Sequence, residues 1–441
     1  MSDLRQNNLV EQRTNWEYKI LGSMYIGYMA FILCRTAISA CSPEMIKDPT
    51  LGFDEDTFSK IAFWGTIGMV TGKLLTGVIA DRLGGRTVYL VALTVTAIIT
   101  VALSTSSYFV MFATLNFIML FAAAAGWPAM ANLISNWYHS SKFGRVWGII
   151  STSSRLSAVL SALFLGYLLS KMDWQYVFCI AGGVGLAVVA LIFFYLKGHP
   201  RDVGLSEVEP KKAKHVEDTP TNLSHALDDA SLKEALITFA TSGRFWLMCL
   251  SLMCTTVLME FIVLLPLYID QSFDVPKGYA TITSAIFPTG CLIALVGGGF
   301  VYDGVSRKGR IALLGGLLTL TCFCVATLLY LPSFGMSGSA KFFIAVVTLF
   351  FFGLTVAPAY YLPMSIFSVE FGGIHCGLLI GIIDATGYGA SALYLWQGGS
   401  IVKDHGWGAL LQIFLVIAVI ATLITAWFAY EDYKKGPKQT S

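Results

Sequence analysis

Long apolar runs, separated by short polar breaks, dominate the pattern of this chain. Crossing hydrocarbon as a helix takes about 20 mostly apolar residues. Twelve stretches qualify: 20–41, 60–80, 87–105, 108–137, 145–169, 174–196, 244–269, 279–302, 310–331, 341–365, 374–401 and 406–430. The runs at 108–137 and 341–365 contain Gly and Pro, which membrane helices tolerate. One long polar segment, 197–243, divides the sixth run from the seventh. It carries Pro200, Pro210, Lys211, Lys212, Lys214 and Pro220, then a short amphipathic piece around 230–240. The pattern predicts an all-α integral membrane protein with twelve transmembrane helices. They form two pseudo-symmetric six-helix bundles, 1–196 and 244–441, joined by a cytoplasmic linker at 197–243.

Composition agrees with that pattern. Of 441 residues, 56% are hydrophobic and 13% charged, against about 25% charged in a soluble domain. A net charge of +2 gives no reason to expect a nucleic-acid partner. Nine cysteines, at 34, 41, 179, 249, 254, 291, 322, 324 and 376, form no C-x-x-C pair and read as small core residues. The first 19 residues lack an apolar signal core, so no cleaved signal is expected. With the N-terminus in the cytoplasm, cytoplasmic segments hold 20 of the 29 Lys and Arg, outer loops six and spans three. That bias predicts both termini inside. The expectation is a multi-pass protein of a bacterial inner membrane, and a monomer.

A repeat links the halves. GVIADRLGGR (77–86) follows the second run and GGFVYDGVSRKGR (298–310) the eighth. The six-plus-six pattern and these loops resemble the major facilitator superfamily. The resemblance implies a cytoplasmic gate built from Asp81, Arg82 and Arg86 in the first copy and from Asp303, Arg307 and Arg310 in the second. A finer resemblance, to the organophosphate:phosphate antiporter family of glycerol-3-phosphate and hexose-phosphate transporters, rests on several segments. They are IGYMAFILCRTAISACSP (26–43), GWPAMANLISNWY (126–138), GRVWGIISTSS (144–154), HPRDVGLSEVE (199–209), GYGAS (387–391) and GGSIVKDHGW (398–407). It implies that Arg35 binds an anion with help from Tyr28 and Lys73. The family's second Arg, eight residues before a Pro in helix 7, is absent: Leu258 stands there before Pro266, with Glu260 nearby. Ser154 occupies the family's helix 5 His position, Arg155 follows it, and helix 11 carries Asp384.

Three cations, Arg35, Lys73 and Arg155, thus lie within apolar spans. Such charge costs roughly 2.5–3.5 kcal/mol at a helix centre and is kept for a watery cavity or an anionic partner. These cations either grip an anion or pair with acids of the other half. The guanidinium fork suits carboxylate and phosphate alike. Glu260 and Asp384 carry protons, form fixed pairs, or recognise a substrate amine. Candidate pocket aromatics are Tyr28, Trp127, Tyr138, Tyr360, Tyr361, Tyr388, Tyr394 and Trp396, with Tyr28 and Tyr361 favoured. Tyr28 and Arg35, seven apart, share one helix face.

The expected function is secondary transport of a small organic anion, a carboxylate or organophosphate, by alternating access with proton coupling. The alternatives are sugar-phosphate:phosphate antiport and a transporter-like sensor of an organophosphate. No phosphate-cradling P-loop, metal motif or catalytic constellation occurs, so no enzyme, cofactor or metal is expected. The expected partners are the anion, protons or a counter-anion, and the bilayer.

Overall fold

The structure, a computed structural model, describes residues 2–139, 142–207, 231–372 and 376–435. Among these, eleven helices are long and apolar enough to span a membrane. They are α1 (Glu11–Lys47), α2 (Glu55–Ala80), α3 (Gly85–Leu103), α4 (Phe109–Trp137), α5 (Phe143–Leu169), α6 (Trp174–Tyr195), α7 (Gly243–Ser272), α8 (Tyr279–Gly298), α9 (Lys308–Ser333), α10 (Gly338–Ser368) and α11 (Leu378–Glu431). α11 is one 54-residue run that turns at Gly406, where φ is 77°. Only glycine takes that left-handed conformation at little cost. Its two arms, 378–405 and 407–431, are each long enough to cross, which restores the expected twelve. Large apolar side chains face outward, including Phe194, Phe343, Leu393 and Leu423. A water-exposed surface does not carry so much contiguous apolar area; here the solvent is lipid.

Three spans expected to be continuous are broken. α4 loses helical regularity at Ala124–Ala125 and resumes at Gly126; Pro128 has no N–H for the carbonyl four residues back. α8 breaks at Ala285, just before Pro288, for the same reason. α7 breaks at Glu260, whose φ is −75° and ψ −1°.

Contacts divide the chain into two compact units. The first comprises Met1–Ile38, Ile67–Ser161 and Met172–Leu223. Its helices approach at backbone distance. A Cβ at Gly68 would strike the carbonyl of Phe117, and one at Gly72 would lie 2.6 Å from that of Phe121, so the G-x-x-x-G of α2 is a packing seam against α4. Gly182 of α6 sits likewise against the Ala97 carbonyl of α3, at 2.6 Å.

The face that carries the linker is tied together by α4. Asn132 Oδ1 accepts from Gly85 N at 2.8 Å, Asn136 Nδ2 donates to Gly198 O at 3.3 Å, and Trp137 Nε1 donates to Lys197 O at 2.8 Å. The Tyr138 hydroxyl donates to the backbone of Glu17. The stretch 126–138 therefore works largely as a scaffold, and Tyr138 is no pocket residue. Within GVIADRLGGR, Gly84 takes φ 80°, and Gly85 lies against the Ala129 carbonyl. Arg86 donates to Leu196 O (2.6 Å) and Phe193 O (3.2 Å), capping the C-terminal end of α6. Arg82 is exposed. In the second loop Ser306 Oγ accepts from Gly309 N at 3.2 Å, and Arg310 is half-buried. The side chains of Asp81, Asp303 and Arg307, and linker residues 208–230, lie outside the described residues.

The second unit comprises Ser39–Thr66, Ala162–Lys171 and Ser224–Ser441. The α2–α4 seam recurs here: Gly290 of α8 faces the Phe350 carbonyl, and Gly353 of α10 faces that of Phe287. At the end away from the linker, the 39–66 segment is fastened by polar bonds. Ser39 Oγ donates to Val263 O at 2.5 Å, and Lys47 pairs with Asp270 at 2.6 Å. Gln271 Nε2 donates to Glu55 and its Oε1 accepts from Trp407 Nε1 at 2.8 Å. Trp396 packs on Phe63 with centroids 4.8 Å apart.

Asp54 has two tasks there. Its Oδ1 caps α2, accepting from Thr57 N at 2.8 Å and Thr57 Oγ1 at 2.6 Å, while Oδ2 pairs with Lys403 at 2.8 Å. Burial pushes the carboxyl's pKa up, but the Lys403 ammonium and the Thr57 donors outweigh it and hold it down at about 2. A depressed carboxylate contributes stability above its ordinary value of 3.8, lost as pH falls through about 2. The fastening therefore holds at every physiological pH.

Two predictions follow from this packing. Gly68→Val forces α2 off α4 and abolishes folded, monodisperse protein in size-exclusion chromatography. Gly77→Ala, whose Cβ would meet nothing within 4 Å, leaves the melting temperature equal or higher. Asp54→Ala lowers the melting temperature more than Lys403→Gln, because it also removes a cap worth about 1 kcal/mol. The effect of Lys403→Gln shrinks in high salt and disappears only in melts below about pH 2, where Asp54 takes up a proton.

Candidate functional site

In the first unit, aromatic side chains of three helices form a wall. Tyr28 of α1 meets Trp127 of α4 edge-on at 5.4 Å, and Trp127 stacks on Trp147 of α5 at 5.2 Å and 18°. The wall exists because α4 is broken beside it. Gly126 lets Tyr28 close in: a Cβ there would lie 3.2 Å from the Tyr28 ring.

The cations stand around this wall. Tyr25 OH meets Thr152 Oγ1 at 3.1 Å, and Ser157 Oγ donates to Met29 O at 2.9 Å, so α1 and α5 run side by side in the same direction. Arg155 is therefore level with Tyr28. Arg35 lies seven residues further along α1, about 10 Å at 1.5 Å per residue. Lys73 follows Gly72, which abuts Phe121 and Ala124, and so stands just above Trp127 in depth. All three cations are half-buried.

The carboxylates lie in the second unit. Glu260 is the residue at which α7 breaks, and Asp384 is half-buried on α11. Leu258, which replaces the expected second Arg, is fully buried in apolar packing. The Tyr361 hydroxyl donates to Cys291 O at 3.2 Å, tying α10 to α8. Of the cysteines, Cys34, Cys41, Cys249 and Cys291 are buried as expected, while Cys179 faces outward. No group of three or more His, Cys, Asp or Glu poised for a metal occurs among the described residues.

Trp147 was not among the expected site residues, though it completes the wall. A sequence signal was present: GRVWGIIS (144–151) repeats as GLLIGIID (377–384). That register matches α5 with α11, sets Ser151 against Asp384, and sets Arg155 against Tyr388. The equivalent positions thus carry unlike chemistry: a hydroxyl is matched with the carboxylate Asp384 in the register, and the cation Arg155 has the neutral Tyr388 as its counterpart.

Comparisons agree with this architecture. The sequence profile of the Major Facilitator Superfamily matches residues 24–374. A probable hexose phosphate transport protein of Chlamydia trachomatis is 23% identical over 96% of this chain and 93% of its own. A glucose-6-phosphate exchanger of Xenopus laevis is 26% identical over 74% of this chain and 69% of its own. A membrane sensor protein, UhpC of Salmonella typhimurium, is 21% identical over 93% and 90%. Among solved structures, a bacterial homolog of the lysosomal transporter Spinster superposes with TM-score 0.70 at 17% identity, covering 96% of this chain and 99% of that one. A D-xylose–proton symporter superposes with TM-score 0.68 at 15% identity, covering 93% and 96%. The profile match over most of the chain, the twelve crossings and the repeated halves together make this protein a multi-pass membrane transporter of the Major Facilitator Superfamily.

Proposed function

We propose that the protein carries a small organic anion, a phosphorylated sugar or a carboxylate, by alternating access of its two six-helix halves, 1–196 and 244–441. What supports this reading is that three half-buried cations, Arg35, Lys73 and Arg155, share one unit with the Tyr28–Trp127–Trp147 wall. A guanidinium in a low-dielectric cavity binds a planar or tetrahedral oxyanion strongly, and the aromatic faces favour a ligand with a ring or carbon skeleton. The first-unit loop residues Arg82 and Arg86, with Arg310 of the second loop, act in this reading at the linker-side gate. Both termini are cytoplasmic, and the membrane is a bacterial inner one.

Coupling runs through Glu260 and Asp384. A carboxyl in an apolar span favours its neutral form and so can load a proton near neutral pH. Buried Leu258 at the place of a second Arg supports this against a symmetric phosphate clamp. Exchange against phosphate is the second reading, favoured by the names of the hexose phosphate and glucose-6-phosphate relatives.

Thermal melts of the purified protein against inorganic phosphate, glucose 6-phosphate, citrate and a quaternary amine, at pH 5.5 and 7.5, test this proposal. Stabilisation grows as ln(1 + [L]/Kd). The expected result is stabilisation by one class of organic anion, with Arg35→Ala and Arg155→Ala each weakening binding about 10- to 100-fold, as loss of a charged hydrogen bond implies. Stabilisation by the amine alone overturns the anion reading.

A further inference from the structure

α11 turns one polar face toward α7. Gly387 lies so close to α7 that a Cβ would stand 2.6 Å from Thr256 Oγ1, and a Cβ at Gly398 would stand 3.7 Å from Leu264. These two contacts set the register: the helices run side by side in the same direction. Ser391 and Tyr394, four and seven residues after Gly387, share its face and fall at the level of the α7 break at Glu260. Asp384 lies one turn before Gly387 on the same stripe.

Two hydroxyls in this seam are buried without a hydrogen-bond partner. Ser391 is 0% exposed and its Oγ bonds to nothing. The Tyr394 hydroxyl oxygen is also shut off and bonds to nothing, while its ring is fixed against Phe414 at 5.3 Å and against Gly398. Tyr394 is within electrostatic reach of Glu260. An unmade hydrogen bond from a buried hydroxyl costs free energy, and such a group persists where it is used in another state of the molecule.

We propose that Tyr394 is the positioning residue of Glu260: its hydroxyl donates to the Glu260 carboxylate when that group is ionised and is released when the group takes up a proton, with Ser391 as the neighbouring hydroxyl of the same seam. The inference rests on the reading of Glu260 as the proton carrier. The break in α7 supplies the freedom this needs, because a residue between two helical segments can swing by small changes in φ and ψ. The proton goes to a carboxylate oxygen, and the Tyr394 O–H stays intact throughout. Among the described residues, the other ionisable groups on the elements packed against this part of α7 include Asp384 and Tyr388 on α11, Tyr360 and Tyr361 on α10, the last held by Cys291 O, and Cys41 and Glu44 on α1, whose Ser39 donates to Val263 O.

The prediction has a definite sign. A hydrogen bond to the charged form favours that form, so removing it raises the pH at which the carboxyl deprotonates. Infrared difference spectra of the full-length protein in lipid, titrated from about pH 4 to 9, read the protonated carboxyl band directly and need no substrate. The band lost in Glu260→Gln belongs to Glu260. In Tyr394→Phe, which keeps the ring and its packing, the midpoint of that band moves up by about one pH unit. If Glu260→Gln removes a band whose midpoint Tyr394→Phe leaves in place, this inference is overturned and the proton-carrier reading stands. If no band depends on Glu260 across the range, the proton-carrier reading falls and takes this inference with it.

Discussion

The cost of holding charge out of water organises this protein. A cation or carboxylate well inside a spanning helix is expensive unless it has a wet cavity or a partner, yet Arg35, Lys73, Arg155, Glu260 and Asp384 stand there, each half-buried. The arrangement separates them by sign: Arg35, Lys73 and Arg155 in the first unit, Glu260 and Asp384 in the second. The neutral remainder of each unit is packed through glycine-to-carbonyl contacts. These leave few voids and hold the α2–α4 seam and its counterpart at α8–α10 at the same close spacing.

Helix breaks occur where chemistry is expected. Trp127 follows the interruption of α4, and Glu260 is itself the interruption of α7. Irregular backbone at membrane depth is tolerated where it is buried in protein or lines a cavity. The breaks therefore mark the interior side of these helices independently of any residue type. By contrast, the fastening at the end away from the linker uses exposed ion pairs and a helix cap. Such bonds are individually weak and, with Asp54 held at about 2, insensitive to physiological pH. The proton coupling proposed for Glu260 and Asp384 would leave the pH response to groups inside the spans.

Much of this was legible in the sequence because lipid enforces simple rules. Apolar length predicted the spans. The breaks in α4 and α8 were less visible, since Pro is ordinary in membrane helices and its effect depends on which carbonyl loses its donor. The merging of the last two spans into α11 depends on the backbone angle of Gly406 alone. Side-chain type says nothing about what a ring touches: the hydrogen bond of Tyr138 to Glu17 and the packing of Trp396 on Phe63 were not legible in the sequence. Trp147 was passed over in a segment read for its family resemblance and for Ser154 and Arg155; its place follows from its stacking on Trp127.

The most direct test of proton-coupled anion transport is a proton-flux recording. Proteoliposomes containing only this protein and an internal pH-sensitive dye are exposed to the anion that stabilises it most in the thermal melts. The account predicts internal acidification on anion addition, without preloaded phosphate, and its loss in Glu260→Gln. Anion entry that requires internal phosphate and moves no protons would contradict it.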